Sequence, residues 1–332
     1  MKAMFLAKPG FRLDGYGTAE HTAELVSILR SFSAVYTSPE LYDGCVASGI
    51  DAYKLNKDTG NDVNSYVRDI DAMVRQSLGH DVDVYVTAGG DGIMSYVASA
   101  VIINGGREKK PLFLGFPAGT ANAGPIVHRL GIGNPEGLTK VSLDAVEVKD
   151  GDDVIGYGFN DVIIGNAFLG TVDGRLVNLD AAEMAEYGRQ KVTAPGTRIA
   201  TEEFKVLLDG KPAEIGINLK QICVSPLKAD AVNQKAVFGG LLNCVGDEHP
   251  CAAAFISRNM TDSDMSTWNY RGPVTTTHIC FTEKDVLEIS GLGEDAQIII
   301  DGNPFVRRTD RVSFRIVPEA CTALWDMGEK GR

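Results

Sequence analysis

Two short apolar runs that break off into glycine constrain this chain more than any other feature. They are "VYVTAGGDGIMS", residues 84–95, and "PLFLGFPAGTANAGPI", residues 111–126. Each reads as a buried strand that stops at a turn of small residues. Gly89 and Gly90 let a backbone approach a phosphate closely. Gly92 allows a tight entry into a following helix whose first N–H groups lack intrahelical partners. Asp91 is an odd residue for touching a phosphate directly. It suits a magnesium partner, or a base that takes a proton from an attacking hydroxyl. The plainer alternative is a Gly-Asp-Gly turn with Asp91 as the cap of the helix. The second run favours the first reading. Gly119, Thr120, Asn122 and Gly124 repeat the arrangement, with Pro117 setting the entry and Thr120 and Asn122 able to hold phosphate or ribose oxygens. One glycine loop makes a turn, whereas two at neighbouring strand ends make a cradle for a nucleotide.

The surrounding pattern supplies the sheet that such loops need. "KAMFLAK" reads as an opening strand, and Leu25, Ile28, Leu29 and Phe32 repeat at helical spacing after Thr18, a candidate cap. "VYTS" reads as a second strand, residues 61–78 as a helix carrying Val63, Val67, Ile70 and Val74 on one stripe, and 93–103 as another helix. Alternating strands and helices predict a mostly parallel sheet covered by helices. After "GNPEG" the texture changes to short extended runs joined by Asp-Gly turns, among them "GFNDVIIG", "EEFKVLLDG", "AQIIID" and "RVSFRIV". The expected fold class is α/β + β. Residues 1–137 form a Rossmann-like parallel sheet with helices, and residues 138–318 an antiparallel β-sandwich-like domain. The pattern leaves the packing of 319–332 open.

Composition narrows the partners. A formal charge of −12 disfavours a nucleic-acid backbone or an anionic membrane as the main partner. It leaves room for an anionic small molecule bound by a local nest of N–H groups. No stretch approaches a transmembrane span, and the N-terminus reaches Pro9 and Gly10 too soon for a signal-peptide core, so a cytoplasmic location is expected. The cysteines show no CxxC spacing, which suits a reducing compartment. Cys244, His249 and Cys251 fall one ligand short of a zinc site, so no metal ligands are assigned. A GxGxxG fingerprint after the first strand, a GxxxxGK[ST] loop and a GxSxG elbow are all missing.

The residues "GGDG" followed by "GFPAGTAN" resemble the superfamily of NAD kinases, diacylglycerol kinases and sphingosine kinases. "GFNDVIIG" and "IIIDGNPF" are similar to the NAD kinases' Asn-Glu segment and late Asp-Gly turn. The resemblance implies an ATP-dependent phosphoryl transfer assisted by Mg2+ to a small-molecule hydroxyl, with NAD as the favoured acceptor. It implies Asp91 as the acid that activates the acceptor, and Gly89, Gly90 and Gly92 in the phosphate loop. Asn160 and Asp161 would contact the ribose or nicotinamide side of the substrate. It further implies a crevice between two domains and a homo-oligomer, dimer or tetramer. Three departures stand beside the match. Ile93 replaces the usual Thr, Asp161 replaces Glu, and "CVSPLKADAVNQKAVFGG" stands where a TPTGSTAY-like loop would hold the dinucleotide, with Ser225, Pro226 and Gly239 as fragments of it. These keep open a kinase of another acceptor, such as a lipid or other hydroxylated metabolite, and a non-catalytic nucleotide-binding or regulatory protein. A dehydrogenase fits less well, because no hydride-transfer pair is visible.

Weaker candidates complete the reading. Thr171, Asp173 and Arg175 suit a tight turn between strands, with Arg175 a possible phosphate partner. "APGTR" (194–198) is a hinge or lid, "RRTDR" (307–311) an exposed, solvated turn, and His128 a helix-surface residue. Trp268 and Tyr270 lie in a polar loop that stacks on a base or covers a subunit contact.

Overall fold

The strand that ends at the first glycine turn is buried at every residue from Val84 to Gly89, as a strand covered by helices on both faces must be. The computed structural model describes residues 1–15, 19–58, 65–118, 138–165, 169–172, 175–178, 199–216, 218–226, 251–257, 275–293, 296–305 and 307–325. Two compact units divide the chain: Met1–Leu143 with Glu319–Arg332, and Asp144–Pro318.

The first unit holds β1 (Lys2–Ala7), α1 (Ala19–Arg30), β2 (Ala34–Thr37), α2 (Pro39–Ala47), β3 (Ala52–Lys54), α3 (Ser65–Gly79), β4 (Val84–Gly89), α4 (Asp91–Ile103) and β5 (Leu112–Pro117). Two long strands belong to both units: β6 (Thr139–Asp150) starts in the first, and the last strand of the chain ends there. The first unit's strands run in the order β3-β2-β1-β4-β5, all parallel, and Thr322 and Ala323 of the last strand add a sixth parallel partner beside β5. Residues 319–325 therefore complete the first unit's sheet.

Register lines up one row of side chains across this sheet: Tyr53, Tyr36, Met4, Tyr85, Phe113 and Ala323. Tyr36 stacks on Tyr53 with ring centroids 5.4 Å apart, and Tyr85 on Phe113 at 5.5 Å. The Tyr85 hydroxyl lies 3.1 Å from Ser77 Oγ, which ties α3 to this face. On the opposite face Phe5, Val86 and Leu114 pack with Leu25 and Leu29 of α1 and Leu41 of α2. The apolar pattern does not mark α2 or β3. In α2 only Leu41 and Cys45 are buried, and Pro39 and Gly44 dilute a helical signal only nine residues long. Thr18 and the expected start of α3 lie outside the described residues.

The second unit is made of strands. After β6 come β7 (Asp153–Gly158), β8 (Val162–Gly165), the hairpin β9 (Leu169–Val172) and β10 (Arg175–Asn178), β11 (Ala200–Leu208), β12 (Lys211–Ala213), β13 (Gln221–Pro226), β14 (Cys251–Ile256), β15 (Thr276–Phe281), β16 (Leu287–Leu292), β17 (Gln297–Ile300), β18 (Asn303–Phe305) and β19 (Val312–Trp325). One antiparallel sheet runs β15-β14-β13-β8-β17-β18. Its inward residues, such as Val162, Ile222, Phe255 and Ile298, share a core with Val206 of β11, Ile289 of β16 and Phe314 of β19. Two β layers around one core are a sandwich, so the expected α/β + β class is the observed one. Gly291 sits at φ +69 where a Cβ would lie 2.5 Å from the Glu203 carbonyl carbon, opposite the register shift between Ala200 and Lys205, so this bulge requires glycine.

One expectation for this unit is corrected. "RRTDR" is not simply a solvated turn. The guanidinium of Arg307 donates to the carbonyls of Ala296 (3.0 Å), Leu292 (3.2 Å), Gly293 and Thr309, and burial lowers its pKa. A planar fork of donors lets this one arginine close several backbone carbonyls at once, whereas Arg308 and Arg311 are exposed as expected and pair with Asp150, Asp153 and Asp152.

Candidate nucleotide site

At the end of β4 the chain turns directly into α4. Gly90 is the N-cap, with φ −94 and ψ −167, and Asp91 is the first residue of the helix. Asp91 is therefore not the cap of α4, as the plainer reading had it. A glycine cap brings no side chain to the first-turn N–H groups. Gly92 follows within the helix. Neighbouring strands are tied to this point: Lys8 N–H donates to Ala88 O and Ala118 N–H to Gly89 O, both at 2.9 Å.

The packing supplies a reason for Gly89 that the sequence did not suggest. A Cβ there would lie 2.5 Å from Ile93 Cγ2 and 3.5 Å from Lys8 Cβ. The branched side chain of Ile93 folds back over the strand end, and only glycine leaves room for it. Ile93 is buried, so an apolar methyl stands beside the glycine turn where the resembled family has a threonine.

Strand order in the first unit reverses between β1 and β4, because the chain leaves β1 towards β2 on one side and returns as β4 on the other. Ligands of open α/β sheets bind outside the carboxyl ends of the strands at such a switch point. A cavity of 220 Å³ lies there. Leu6, Phe11, Leu41, Ile70, Met73 and Ile93 form its apolar walls, and Lys8, Ser38, Glu40, Lys57 and Asp69 its polar edge.

Three of the polar groups form a chain of charges. Lys57 Nζ lies 2.6 Å from Glu40 Oε1 and 3.3 Å from Asp69 Oδ2, joining α2 to α3. Burial works against ionising Glu40, but the Lys57 hydrogen bond, its own backbone N–H and the Ser38 hydroxyl outweigh it and lower its pKa. The same pairing raises that of Lys57 against its desolvation, so Glu40 and Lys57 are both charged at neutral pH. The segment carrying Lys57 is pinned as well. Leu55 N–H donates to Thr37 O at 2.8 Å, and the Gln76 side chain closes a pair of hydrogen bonds with the Asn56 backbone. Nothing in the sequence pointed to this trio, since its members are far apart in the chain and belong to no motif.

The second unit brings together the two segments that the resemblance named separately. Asp301 (φ 48) and Gly302 (φ 81) make the turn between β17 and β18. The Asp301 carboxylate accepts the backbone N–H groups of Phe159 (2.8 Å), Asn160 (2.8 Å) and Asp161 (2.9 Å). Asp301 N–H returns a bond to Asp161 O at 3.0 Å. Asn160 Nδ2 donates to Asp161 Oδ2 at 2.9 Å, and Ser225 Oγ to Asn160 O at 2.5 Å. Asn160, Asp161, Ser225 and Asp301 are all buried. A Cβ on Gly158 would lie 2.5 Å from Val162 Cγ2, which keeps this turn tight. Burial, with the Asp161 charge adding to it, raises the pKa of the neighbouring Cys223 thiol, so that cysteine stays protonated at neutral pH. Ser225, by sequence only a fragment of the missing loop, anchors the Asn160 carbonyl.

No family model matches the chain. An uncharacterized protein of Archaeoglobus fulgidus is 26% identical over 232 residues, which cover 69% of this chain and 70% of the relative. The crystal structure of yeast NADH kinase complexed with NADH superposes with a TM-score of 0.52 at 11% sequence identity, over 98% of this chain and 84% of that one. The chain shares the fold of that kinase. At this identity the likeness is one of architecture: a parallel sheet with helices followed by an antiparallel β unit.

Several candidates lie outside the described residues: Gly119, Thr120, Asn122, Gly124, His128, Asp173, residues 194–198, Gly239, Cys244, His249, Trp268 and Tyr270. Thr171 and Arg175 fall in the β9–β10 hairpin, where Val172 pairs with Arg175. No group of three metal-ligating side chains converges among the described residues. A magnesium ion held by one carboxylate and a nucleotide's phosphates needs no such cage. Among the described residues no helix is long and apolar enough to cross a membrane.

Proposed function

We propose that this protein is a phosphotransferase of the NAD kinase and diacylglycerol kinase superfamily, moving a phosphoryl group from ATP to the hydroxyl of a small acceptor, with NAD as the favoured acceptor. The observation that carries the reading is the glycine-capped start of α4 at the end of β4, directly beside the β1/β4 switch point and its cavity. The shared fold with a yeast NADH kinase supports it. Helix N–H groups at Gly90–Gly92 hold phosphate oxygens. Asp91 takes the proton from the acceptor hydroxyl as its oxygen forms a bond to the γ-phosphorus. The bond from that phosphorus to the bridging oxygen breaks, and ADP leaves with the electron pair. Magnesium entering with ATP neutralises charge on the phosphates. In the second unit, Asn160 and Asp161, held by Asp301, are the acceptor-binding element. Gly119, Thr120 and Asn122 complete the phosphate cradle of this proposal.

ADP formation from ATP and magnesium, with and without NAD, tests the reading. Wild type should show NAD-stimulated turnover, and Asp91→Asn should lose about a thousandfold of it or more. Near-wild-type turnover in the variant would remove Asp91 from the chemistry.

A second reading is a nucleotide-binding regulatory protein without turnover. Ile93 favours it, because a buried methyl occupies the place beside Gly89 where a hydroxyl would otherwise serve the phosphates. It predicts ATP binding with no ADP formed in the presence of any acceptor tried.

A further inference from the structure

Phosphoryl transfer is assisted by positive charge beside the group that moves, and the glycine turn carries none: residues 89–92 are three glycines and an acid. The chain also lacks the GxxxxGK loop with which other folds set a lysine on the outer phosphates of a nucleotide. The neighbouring strand end supplies a cation. Lys8 follows β1 directly, and its N–H donates to Ala88 O at 2.9 Å, which sets it beside Gly89. A Cβ on Gly89 would lie 3.5 Å from Lys8 Cβ, so the glycine puts no side chain of its own against the lysine stem. The carbonyl of Lys8 is held as well. Phe11 N–H donates to it at 3.1 Å, closing a turn with Pro9 second and Gly10 third at φ +74, the residues that a type II turn favours. Phe11 packs edge-on against Phe5 of β1, with ring centroids 6.3 Å apart. The root of Lys8 is therefore fixed on both sides, while its side chain is exposed. Lys8 and Ile93 both line the switch-point cavity, so the lysine stands between that cavity and the glycine turn. The other lysine of the cavity is committed to Glu40 and Asp69, whereas Lys8 forms no ion pair among the described residues.

We propose that the ammonium of Lys8 binds the outer phosphates of the donor nucleotide and supplies the charge that the glycine turn lacks. This rests on the phosphotransferase reading and deepens it. The first N–H groups of α4 are rigid donors that take phosphate oxygens from one side. Lys8 reaches the same oxygens from β1, as a compact charge with three donors on a flexible stem. It makes and breaks no covalent bond; it offsets negative charge while the phosphoryl group passes to the acceptor oxygen. The sequence alone does not show this, because Lys8 is remote from the glycine turn in the chain and belongs to no motif.

The test is calorimetric titration of the full-length protein with ATP and with AMP, each with magnesium. Lys8→Ala should weaken ATP about tenfold or more, the loss of a charge-assisted hydrogen bond, and AMP by less than about twofold. Lys8→Gln, which keeps most of the stem and removes the charge, should behave in the same way, so a loss of packing in the alanine variant cannot pass for a loss of phosphate contact. Lys8→Arg should recover most of the ATP affinity, because it keeps the charge. ATP affinity within about twofold of wild type in the alanine and glutamine variants, or equal weakening of ATP and AMP, overturns the inference and leaves the nucleotide reading standing. Failure of wild type to bind either nucleotide overturns both.

Discussion

The two units each contain a glycine-containing turn at a strand end, and side chains serve its backbone N–H groups in opposite ways. In the second unit Phe159, Asn160 and Asp161 point three N–H groups at one place, and the chain fills it with its own carboxylate, Asp301. In the first unit Gly90 opens α4 without any side-chain cap. The second unit repeats its solution at Asp150, whose carboxylate accepts the N–H groups of Arg308 (2.6 Å) and Thr309 (3.0 Å) and the Thr309 hydroxyl (2.7 Å). An anion site filled from within is a structural rivet, and under the proposed function the start of α4, which has no side-chain cap, is left to a ligand. The difference teaches that the aspartates of this chain divide by what they hold rather than by the Asp-Gly sequences they share.

The comparison breaks most readily at Asp301. Asp301→Ala leaves three buried N–H groups without an acceptor, and the unfolding free energy in urea should fall by about 3–5 kcal/mol. A loss below about 1 kcal/mol would mean that those N–H groups find other partners and that the rivet is not one. Second in size is Gly89→Ala. The added methyl meets Ile93 Cγ2, and overpacking of this kind costs about 1–3 kcal/mol. The double variant with Ile93→Ala should be more stable than the sum of the two single losses predicts, since the clash is gone. Strict additivity would show that Gly89 is there for some reason other than Ile93.

Asp150 sharpens the comparison through pH. Burial pushes its pKa up, but the Thr309 hydroxyl, the Arg308 and Thr309 N–H groups and the Arg308 charge outweigh it and hold the carboxyl below its ordinary range. A depressed folded pKa contributes stability that is present above the unfolded value and is lost as pH falls through the folded one. Unfolding midpoints of wild type and Asp150→Asn should therefore differ at pH 7 and converge below the ordinary aspartate range, with a gap worth about 1–2 kcal/mol at neutral pH. A gap that stays constant down to pH 2 would assign the effect to something other than ionisation.

These positions also mark how far the sequence could be read. Strand and helix alternation in the first unit, and the shift to Asp-Gly-linked strands after it, were legible because burial on two faces and on one face leaves different periodicities. The place of the glycine turn at the end of β4 was legible for the same reason. What the sequence could not show is what depends on distant pairs. Asp301 reaches Asn160 across 141 positions, and Lys57 joins Glu40 to Asp69 from a segment without any motif. Nor could it tell that Gly89 makes room for the side chain of Ile93, because a glycine that admits a phosphate and one that admits a neighbour look alike.

The smallest expected effect separates the two kinds of aspartate most sharply. Asp91 stands at the first position of α4, where a carboxylate interacts favourably with the helix N-terminus by about 0.3–1 kcal/mol. Asp91→Asn should therefore change the thermal midpoint by no more than a few degrees. The same substitution is expected to abolish phosphoryl transfer, so the residue that matters least to stability would matter most to turnover. Asp301→Asn should show the reverse order, losing stability first. If Asp91→Asn instead unfolded the first unit, its carboxylate would be a rivet like the others, and the open end of α4 would lose its claim to a ligand.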